Sequence, residues 1–272
     1  MKKNRSLFKT ILIFTLIMGL LSLVVMLFVN IRKVNDDATI SINTDTMKLV
    51  QLDEIQDGAP TAIVDTTLGE VRFVLYPQYS PNAVENFTSL AKSGYYDGTY
   101  VYDSQKGAYS GLGAKDKKGN VGDKANEHVK RELNQDLWSF RGAVCMLNTA
   151  REQTFKQKIF GGGTYFCGSR FLLLNSIKFD DEMCRQMRDS SESSELAEAF
   201  IKKGGIPNFS QQMTIIGQTY SGYDVVDALA SLEATEHSGL MTPNQDVIIN
   251  SVKISTFSDE DRELYNKEEK NK

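Results

Sequence analysis

The chain has 272 residues, of which 41% are hydrophobic and 24% are charged. These values exclude a small disulfide-stapled peptide, a wholly disordered chain and a collagen-like sequence. The formal net charge is −4, but residues 1–33 carry six basic residues and no acidic one, so the rest carries −10. An acidic body argues against nucleic-acid binding, and His128 and His237 lie too far apart in sequence to suggest a histidine metal site. We expect neither a metal nor a cofactor.

A strongly apolar run without charged residues extends from Thr10 to Ile31. About 20 apolar residues are enough to cross a hydrocarbon core of about 30 Å. Four basic residues precede the run and two follow it closely, which predicts a cytoplasmic N-terminus and an extracytoplasmic body. We therefore expect a single-pass signal anchor within residues 1–33. A cleaved signal peptide and a buried core helix are the alternatives.

The composition changes along the remainder of the chain, and these changes predict its domains. A polar, acidic stretch is typical of a stalk, and alternating apolar residues indicate a globular part. The charged tail is expected to be a frayed helix or disordered. The predicted parts are a stalk at 34–60, a globular domain at 61–257 with insertions at about 150–167 and 178–205, and a charged tail at 258–272.

The globular part contains signals for both strands and helices. Alternating residues on both sides of Leu68-Gly69 predict a β-hairpin. Pro81 to Ser93 reads as a helix with Ser80 as its N-cap, and further helices are predicted from Ser194 to Lys203 and from Tyr223 to Leu232. Many short strands with few helices indicate a mainly β fold, a closed antiparallel barrel with capping helices. Further strand candidates are GTYVY, GAVCML, RFLLLN, MTIIGQ and VIINSVKI.

The chain has three cysteines, Cys145, Cys167 and Cys184. An odd number outside the cell leaves at least one thiol without a disulfide partner, so we predict no disulfide framework. Cys145 lies in an apolar run and is expected in the core. A pair between Cys167 and Cys184 stays open.

Four blocks of sequence, in order, resemble the cyclophilin-type peptidyl-prolyl isomerases. The resemblance covers about Thr61 to Phe257 and implies an eight-stranded barrel closed by two helices, with a surface groove for Xaa-Pro peptides. The implied activity is prolyl isomerisation. The blocks are GEVRFVLYPQYSPNAVENFTSLAKSGYYDGT, VKRELNQDLWSFRGAVCMLN, GSRFLLL, and MTIIGQTYSGYDVVDAL with TPNQDVIINSVKI.

Prolyl isomerisation makes and breaks no covalent bond, so it requires no nucleophile, metal or acid–base pair. The barrier of about 18–20 kcal/mol reflects the partial double bond of the amide. A catalyst must stabilise the twisted amide more than either planar form. It needs an apolar pocket for the proline ring and a donor to the prolyl nitrogen.

The residues that match the family's site are largely replaced. Asp103 stands where the resemblance places the catalytic arginine of an F-H-R motif. Gly111 matches the clamping glutamine, and Asn148 keeps the groove asparagine. Ordinary catalysis is therefore in doubt. The remaining candidates for substrate binding, on the resemblance, are Tyr109, Leu172, Phe209 and Met213. The alternative is that these four residues belong to the core.

Arg170 occupies the position of a groove glutamine in the family. Compared with the family, position 103 has thus lost a cation and position 170 has gained one. Three readings stay open: an ion pair between Arg170 and Asp103, a relocated donor formed by Arg170, or a solvated Arg170 beside a loop acid.

The sequence is compatible with two functions, one of an enzyme and one of a binding module. The first is a membrane-anchored isomerase that acts on exported proteins, whose uncatalysed prolyl isomerisation takes about 10–100 s. The second is a non-catalytic module that binds a peptide or protein at the outer face of the membrane, and the loss of the site motifs favours it. A structural subunit of an envelope complex is a further alternative, marked by an apolar patch on the insertions.

Overall fold

The computed structural model describes residues 39–122, 129–160 and 162–270, together with Met18 and Ser22. It divides into two compact units, one of which is Thr39–Ala150 with Tyr165–Lys272, while the other includes the described residues 151–164. The strands are β1 Pro60–Thr66, β2 Gly69–Leu75, β3 Tyr100–Gln105, β4 Tyr109–Ala114, β5 Val129–Lys130, β6 Ala143–Glu152, β7 Thr164–Leu174, β8 Thr214–Ser221, β9 Ala234–His237, β10 Leu240–Pro243 and β11 Ile249–Thr256. The helices are α1 Pro81–Lys92, α2 Phe155–Phe160, α3 Asp181–Ser190, α4 Ser194–Lys203, α5 Tyr223–Leu229 and α6 Asp259–Lys270.

Nine strands form one curled sheet in the order β11-β1-β2-β8-β6-β7-β4-β3, with β5 beside β7. The pairings for which a register is described are antiparallel, as the mainly β prediction implies. Strands β9 and β10 form a separate hairpin.

The expected closed, eight-stranded barrel is wrong. The path of the sheet is open, and its edge strands β3 and β11 are not paired in a ladder within the described part of the chain. They approach through an isolated bridge between Tyr100 and Ile248 and a few neighbouring backbone hydrogen bonds. The described residues contain six helices: α1, α4 and α5 at predicted positions, α6 as the helical alternative for the tail, and α2 and α3, which were not predicted.

The first hairpin and the first helix form where the sequence predicts them. Strands β1 and β2 pair across the turn at Leu68, and Pro81 occupies the first turn of α1, where a missing N–H has no cost. Ser80 is the N-cap residue, but its hydroxyl does not cap the helix, because it donates instead to the carbonyl of Ile215 at 2.8 Å. Helix α4 spans the predicted residues, and α5 ends at Leu229, before the predicted end.

The two faces of the sheet carry different apolar clusters, because successive side chains of a strand point to opposite sides. Phe171 and Leu173 of β7 pack with the buried faces of α1 and α5 in the main core. Leu172 and Leu174 of the same strand belong to a second cluster, which also contains Cys145, as predicted for a core cysteine. The three cysteines lie in described segments and form no disulfide.

The segment expected to be a stalk packs against the domain in its described part. Leu49 joins Trp138, Phe140 and Phe200 of α4 in a third apolar cluster. Gln51 is buried, accepts a hydrogen bond from the Trp138 backbone N–H at 2.6 Å and donates to the Trp138 carbonyl at 2.9 Å. This part of residues 34–60 therefore belongs to the folded body.

Substitution Gln51→Ala should lower the free energy of unfolding by about 2 kcal/mol, because it leaves the buried Trp138 N–H without an acceptor. Urea denaturation of the full-length chain measures this loss. Gln56→Ala is the matched control, since Gln56 is exposed and its side chain donates to the nearby Glu54 carbonyl. Equal stabilities of the two variants would contradict a structural role for the segment.

The charged tail forms α6, the helical alternative of the prediction. Asp261 in its first turn is 3% exposed and accepts hydrogen bonds from Arg72 of β2 at 2.7 Å and Tyr220 of β8 at 2.8 Å. A sequence dominated by charges thus docks in part through a buried carboxylate.

The insertion predicted at about 150–167 connects β6 to β7 and contains α2. The predicted membrane anchor, Thr10–Ile31, lies outside the described residues except for Met18 and Ser22. Within the described part of the chain, no helix combines the length and apolar character needed to cross a bilayer.

Candidate functional site

Four of the predicted substrate-binding side chains meet on one face of the sheet. Leu172 is buried on β7, and Tyr109 begins the neighbouring strand β4. Phe209 ends a short 3-10 turn, and its ring lies 5.6 Å from that of Tyr109 between centroids. Met213 immediately precedes β8. All four belong to the second apolar cluster. We call these four residues, Tyr109, Leu172, Phe209 and Met213, the apolar pocket.

Asn148 lies beside the apolar pocket. Its side-chain amide donates to the carbonyl of Gln212 at 2.6 Å, next to Met213. Arg131 also donates to this carbonyl, at 3.0 Å. The side-chain oxygen of Asn148 is buried and has no hydrogen-bond donor among the described residues. The retained asparagine is therefore placed with a spare acceptor at the edge of the pocket.

Asp103 is 5% exposed and its carboxylate is engaged by the protein. Oδ1 accepts hydrogen bonds from the Met241 backbone N–H at 2.9 Å and the Gln105 side chain at 3.0 Å. Burial raises the pKa of Asp103, and the hydrogen bonds from Met241, Gln105 and Tyr109 only partly oppose this. A buried acceptor thus occupies the position that the sequence resemblance matches to the family's cationic donor.

The charge of Asp103 affects the pKa of Tyr109, which belongs to the apolar pocket. Burial raises the pKa of the Tyr109 phenol to about 12, with further contributions from the charge of Asp103 and the hydrogen bond to it. The phenol therefore stays protonated at neutral pH and donates toward Asp103.

Among the described residues, Arg170 and Asp103 do not form an ion pair with each other. Its Nη1 donates to the carbonyl of Gly119 at 2.6 Å, and its guanidinium lies 5.7 Å from the ring centroid of Tyr102. The physical reason is the order of the strands. β4 separates β7 from β3, so the two backbones lie roughly 9–10 Å apart.

Tyr102 is a site residue that the sequence did not reveal. It is the extra residue of a β-bulge, because Val101 and Asp103 face consecutive residues of β4. The ring is 1% exposed and covers Gly111, where a Cβ would lie 2.9 Å from the ring carbon that bears the hydroxyl. Tyr102 thus fills the space beside the position of the family's glutamine. A bulge leaves no periodic signal in the sequence, which is why the residue was missed.

Taken together, these residues place the apolar pocket beside Asn148, whose side-chain oxygen is buried. The centre of the site holds a buried carboxylate, Asp103, and a buried tyrosine ring, Tyr102. Such a site can bind an apolar ring, but Asp103 offers no donor to a prolyl nitrogen.

Comparisons with known proteins bear on the family and the fold of the chain. The sequence model of the family described as cyclophilin type peptidyl-prolyl cis-trans isomerase/CLD matches residues 61–160. A candidate peptidyl-prolyl cis-trans isomerase of Staphylococcus epidermidis is 25% identical over 209 residues, which cover 74% of this chain and 94% of the relative. A candidate bifunctional phosphatase/peptidyl-prolyl cis-trans isomerase of Streptococcus pyogenes is 25% identical, with 76% of this chain and 41% of the relative covered.

The fold is also similar to a solved structure. The crystal structure of a cyclophilin-type peptidyl-prolyl cis-trans isomerase from Cryptosporidium parvum superposes with a TM-score of 0.53 at 18% identity, covering 72% of this chain and 98% of that chain. A further structure of that protein, obtained in the presence of the dipeptide Ala-Pro, gives a TM-score of 0.52. The family model, the named relatives and the shared fold agree: residues 61–160 match the cyclophilin-type peptidyl-prolyl cis-trans isomerase family, and the fold of the chain is cyclophilin-like.

Proposed function

We propose that the protein binds proline-containing polypeptide segments at the apolar pocket and isomerises them little faster than the uncatalysed rate. The observation that carries the proposal is the state of Asp103. It replaces the family's cation, is buried, and accepts hydrogen bonds from the protein itself. Binding of the proline ring needs only the apolar pocket, whereas catalysis needs a donor to the prolyl nitrogen.

The ligand class is supported by the pocket and by the related structure. Tyr109 and Phe209 present aromatic surfaces, and the buried Leu172 belongs to the same cluster. The Cryptosporidium protein with this fold was crystallised in the presence of Ala-Pro. A short segment with proline therefore suits the pocket chemically.

The proposed setting is the outer face of a membrane. Its support is the sequence alone, namely the apolar run from Thr10 to Ile31 and the basic residues around it. In that setting the natural ligands are proline-containing segments of exported proteins.

Substitution Phe209→Ala should weaken the binding of a fluorescent Ala-Ala-Pro-Phe peptide by about tenfold, because about 1.4 kcal/mol of apolar contact is lost. Fluorescence anisotropy with the full-length chain measures this Kd. Phe155→Ala is the matched control, since Phe155 is 80% exposed and lies in α2. Failure of the unaltered protein to bind any proline peptide would overturn the proposal.

A further inference from the structure

The hairpin of β9 and β10 is fixed to β3 by Asp103. The Met241 N–H of β10 donates to Asp103 Oδ1 at 2.9 Å. Asp103 is 5% exposed, so loss of this donor would leave part of a buried carboxylate unsatisfied. The tip of the hairpin, by contrast, is exposed at His237, Ser238 and Gly239. The hairpin is therefore anchored at one side and open to solvent at the other.

Leu240, the first residue of β10, packs into a tight corner of the site. The corner is defined by Gly119, where an added Cβ would lie 3.2 Å from Tyr102, 3.3 Å from Arg170 and 3.4 Å from Leu240. Gly119 also has a φ of +80°, a conformation that favours glycine. Leu240 remains half-buried, so part of its side chain is accessible.

This corner adjoins the apolar pocket. Arg170 and Leu172 are two residues apart on β7, so their side chains project from the same face about 6–7 Å apart. Leu172 belongs to the apolar pocket, and Arg170 belongs to the corner with Leu240. A peptide whose proline occupies the pocket would reach the corner with a neighbouring residue.

We infer that the β9–β10 hairpin is a specificity element of the groove, in which Leu240 contacts a residue beside the bound proline and Asp103 is the positioning residue that holds the hairpin in place. This inference rests on the proposed function. The half-buried leucine favours an apolar neighbour of the proline over a charged one. The acid in the place of the family's arginine thus shapes the ligand preference of the site instead of acting on the amide.

The test uses the full-length chain and two readouts. The first is the Kd for peptides Ala-Xaa-Pro-Phe in which Xaa is Leu, Ala, Lys or Glu. The second is hydrogen exchange of the segment 234–243, followed by mass spectrometry without peptide. The variants are Leu240→Ala, Asp103→Ala and Asp103→Asn, the last of which keeps a side-chain oxygen for the Met241 N–H. Glu236→Ala, an exposed change in the same hairpin, is the control.

The unaltered protein should prefer leucine to glutamate at Xaa, and Leu240→Ala should reduce that preference by about fivefold. Asp103→Ala should reduce it similarly and should accelerate exchange in the hairpin by about tenfold. Asp103→Asn and Glu236→Ala should change neither readout by more than about twofold. Unchanged preferences in Leu240→Ala, or unchanged exchange in Asp103→Ala, would overturn the inference alone. No binding of any peptide by the unaltered protein would overturn the proposed function, and the inference with it.

Discussion

Replacement of Asp261 by alanine should destabilise the protein by roughly 3 kcal/mol, the low end of the range for breaking a buried ion pair. Asp261 Oδ1 binds Arg72 Nη1 at 2.7 Å, and the two side chains are 4% and 15% exposed. The change would also remove the partner of the Tyr220 hydroxyl. The value lies at the low end because Glu70 still contacts the Arg72 guanidinium at 2.6 Å. Denaturant unfolding of the full-length chain measures it.

Asp259→Ala is the matched control, since Asp259 is exposed in the same first turn of α6. Both variants lose one acid near the helix N-terminus, so their difference isolates the buried contacts of Asp261. A loss below about 1 kcal/mol for Asp261→Ala would show that α6 is a peripheral helix.

Asp261 also gives the stability a definite pH dependence. Burial alone would raise its pKa, but the hydrogen bonds from Ser258, Arg72 and Tyr220 outweigh burial and hold the pKa below the ordinary value of 3.8. A carboxyl with a depressed pKa in the folded state contributes its stability above the unfolded pKa and loses it as the pH falls through the folded pKa. The gap between the unaltered protein and Asp261→Ala should therefore shrink below about pH 4.

Asp103→Arg, which introduces the arginine that the resemblance matches to this position, should destabilise the fold by about 3–5 kcal/mol and should not create an active isomerase. The position is 5% exposed, and its present partners are donors, Met241 N–H and the Gln105 amide. A guanidinium there would meet donors instead of acceptors. Thermal unfolding and a prolyl isomerisation assay measure the two effects.

Asp103→Asn separates the charge from the geometry, because it removes the charge and keeps an acceptor for Met241. We expect it to cost less than about 1.5 kcal/mol. A stable Asp103→Arg variant with restored isomerase activity would show that the site accepts a cation, and would refute the account of Asp103 as a buried acceptor.

The sequence predicts the parts of the fold that follow from local periodicity. The β1–β2 hairpin, the apolar face of α1 and the span of α4 all follow from alternation or helical spacing, and the structure confirms them. Strand β4 was missed because its sequence, YSGLGA, contains two glycines that weaken a strand signal. The open path of the sheet depends on contacts between distant strands, which periodicity does not encode.

The candidate site was also predictable only in part from the sequence. The resemblance brought together Tyr109, Leu172 and Phe209, which the structure places in one cluster. The ion pair between Asp103 and Arg170 was one of three readings that the sequence left open. It is not among the ion pairs of the described residues, and strand order and the bulge at Tyr102 were not readable from the sequence. The register between β3 and β4 thus decides which side chains of the site are buried, and the residue types alone do not reveal that register.

The most direct test of the account is exchange NMR on a proline peptide with saturating amounts of the full-length protein. The spectra report binding through shifts of the proline resonances and report the cis–trans rate through exchange peaks. We predict clear shifts with a rate that stays within about twofold of the uncatalysed process, which takes about 10–100 s. Acceleration by orders of magnitude would contradict the account, and its loss in Arg170→Ala would assign the donor to Arg170.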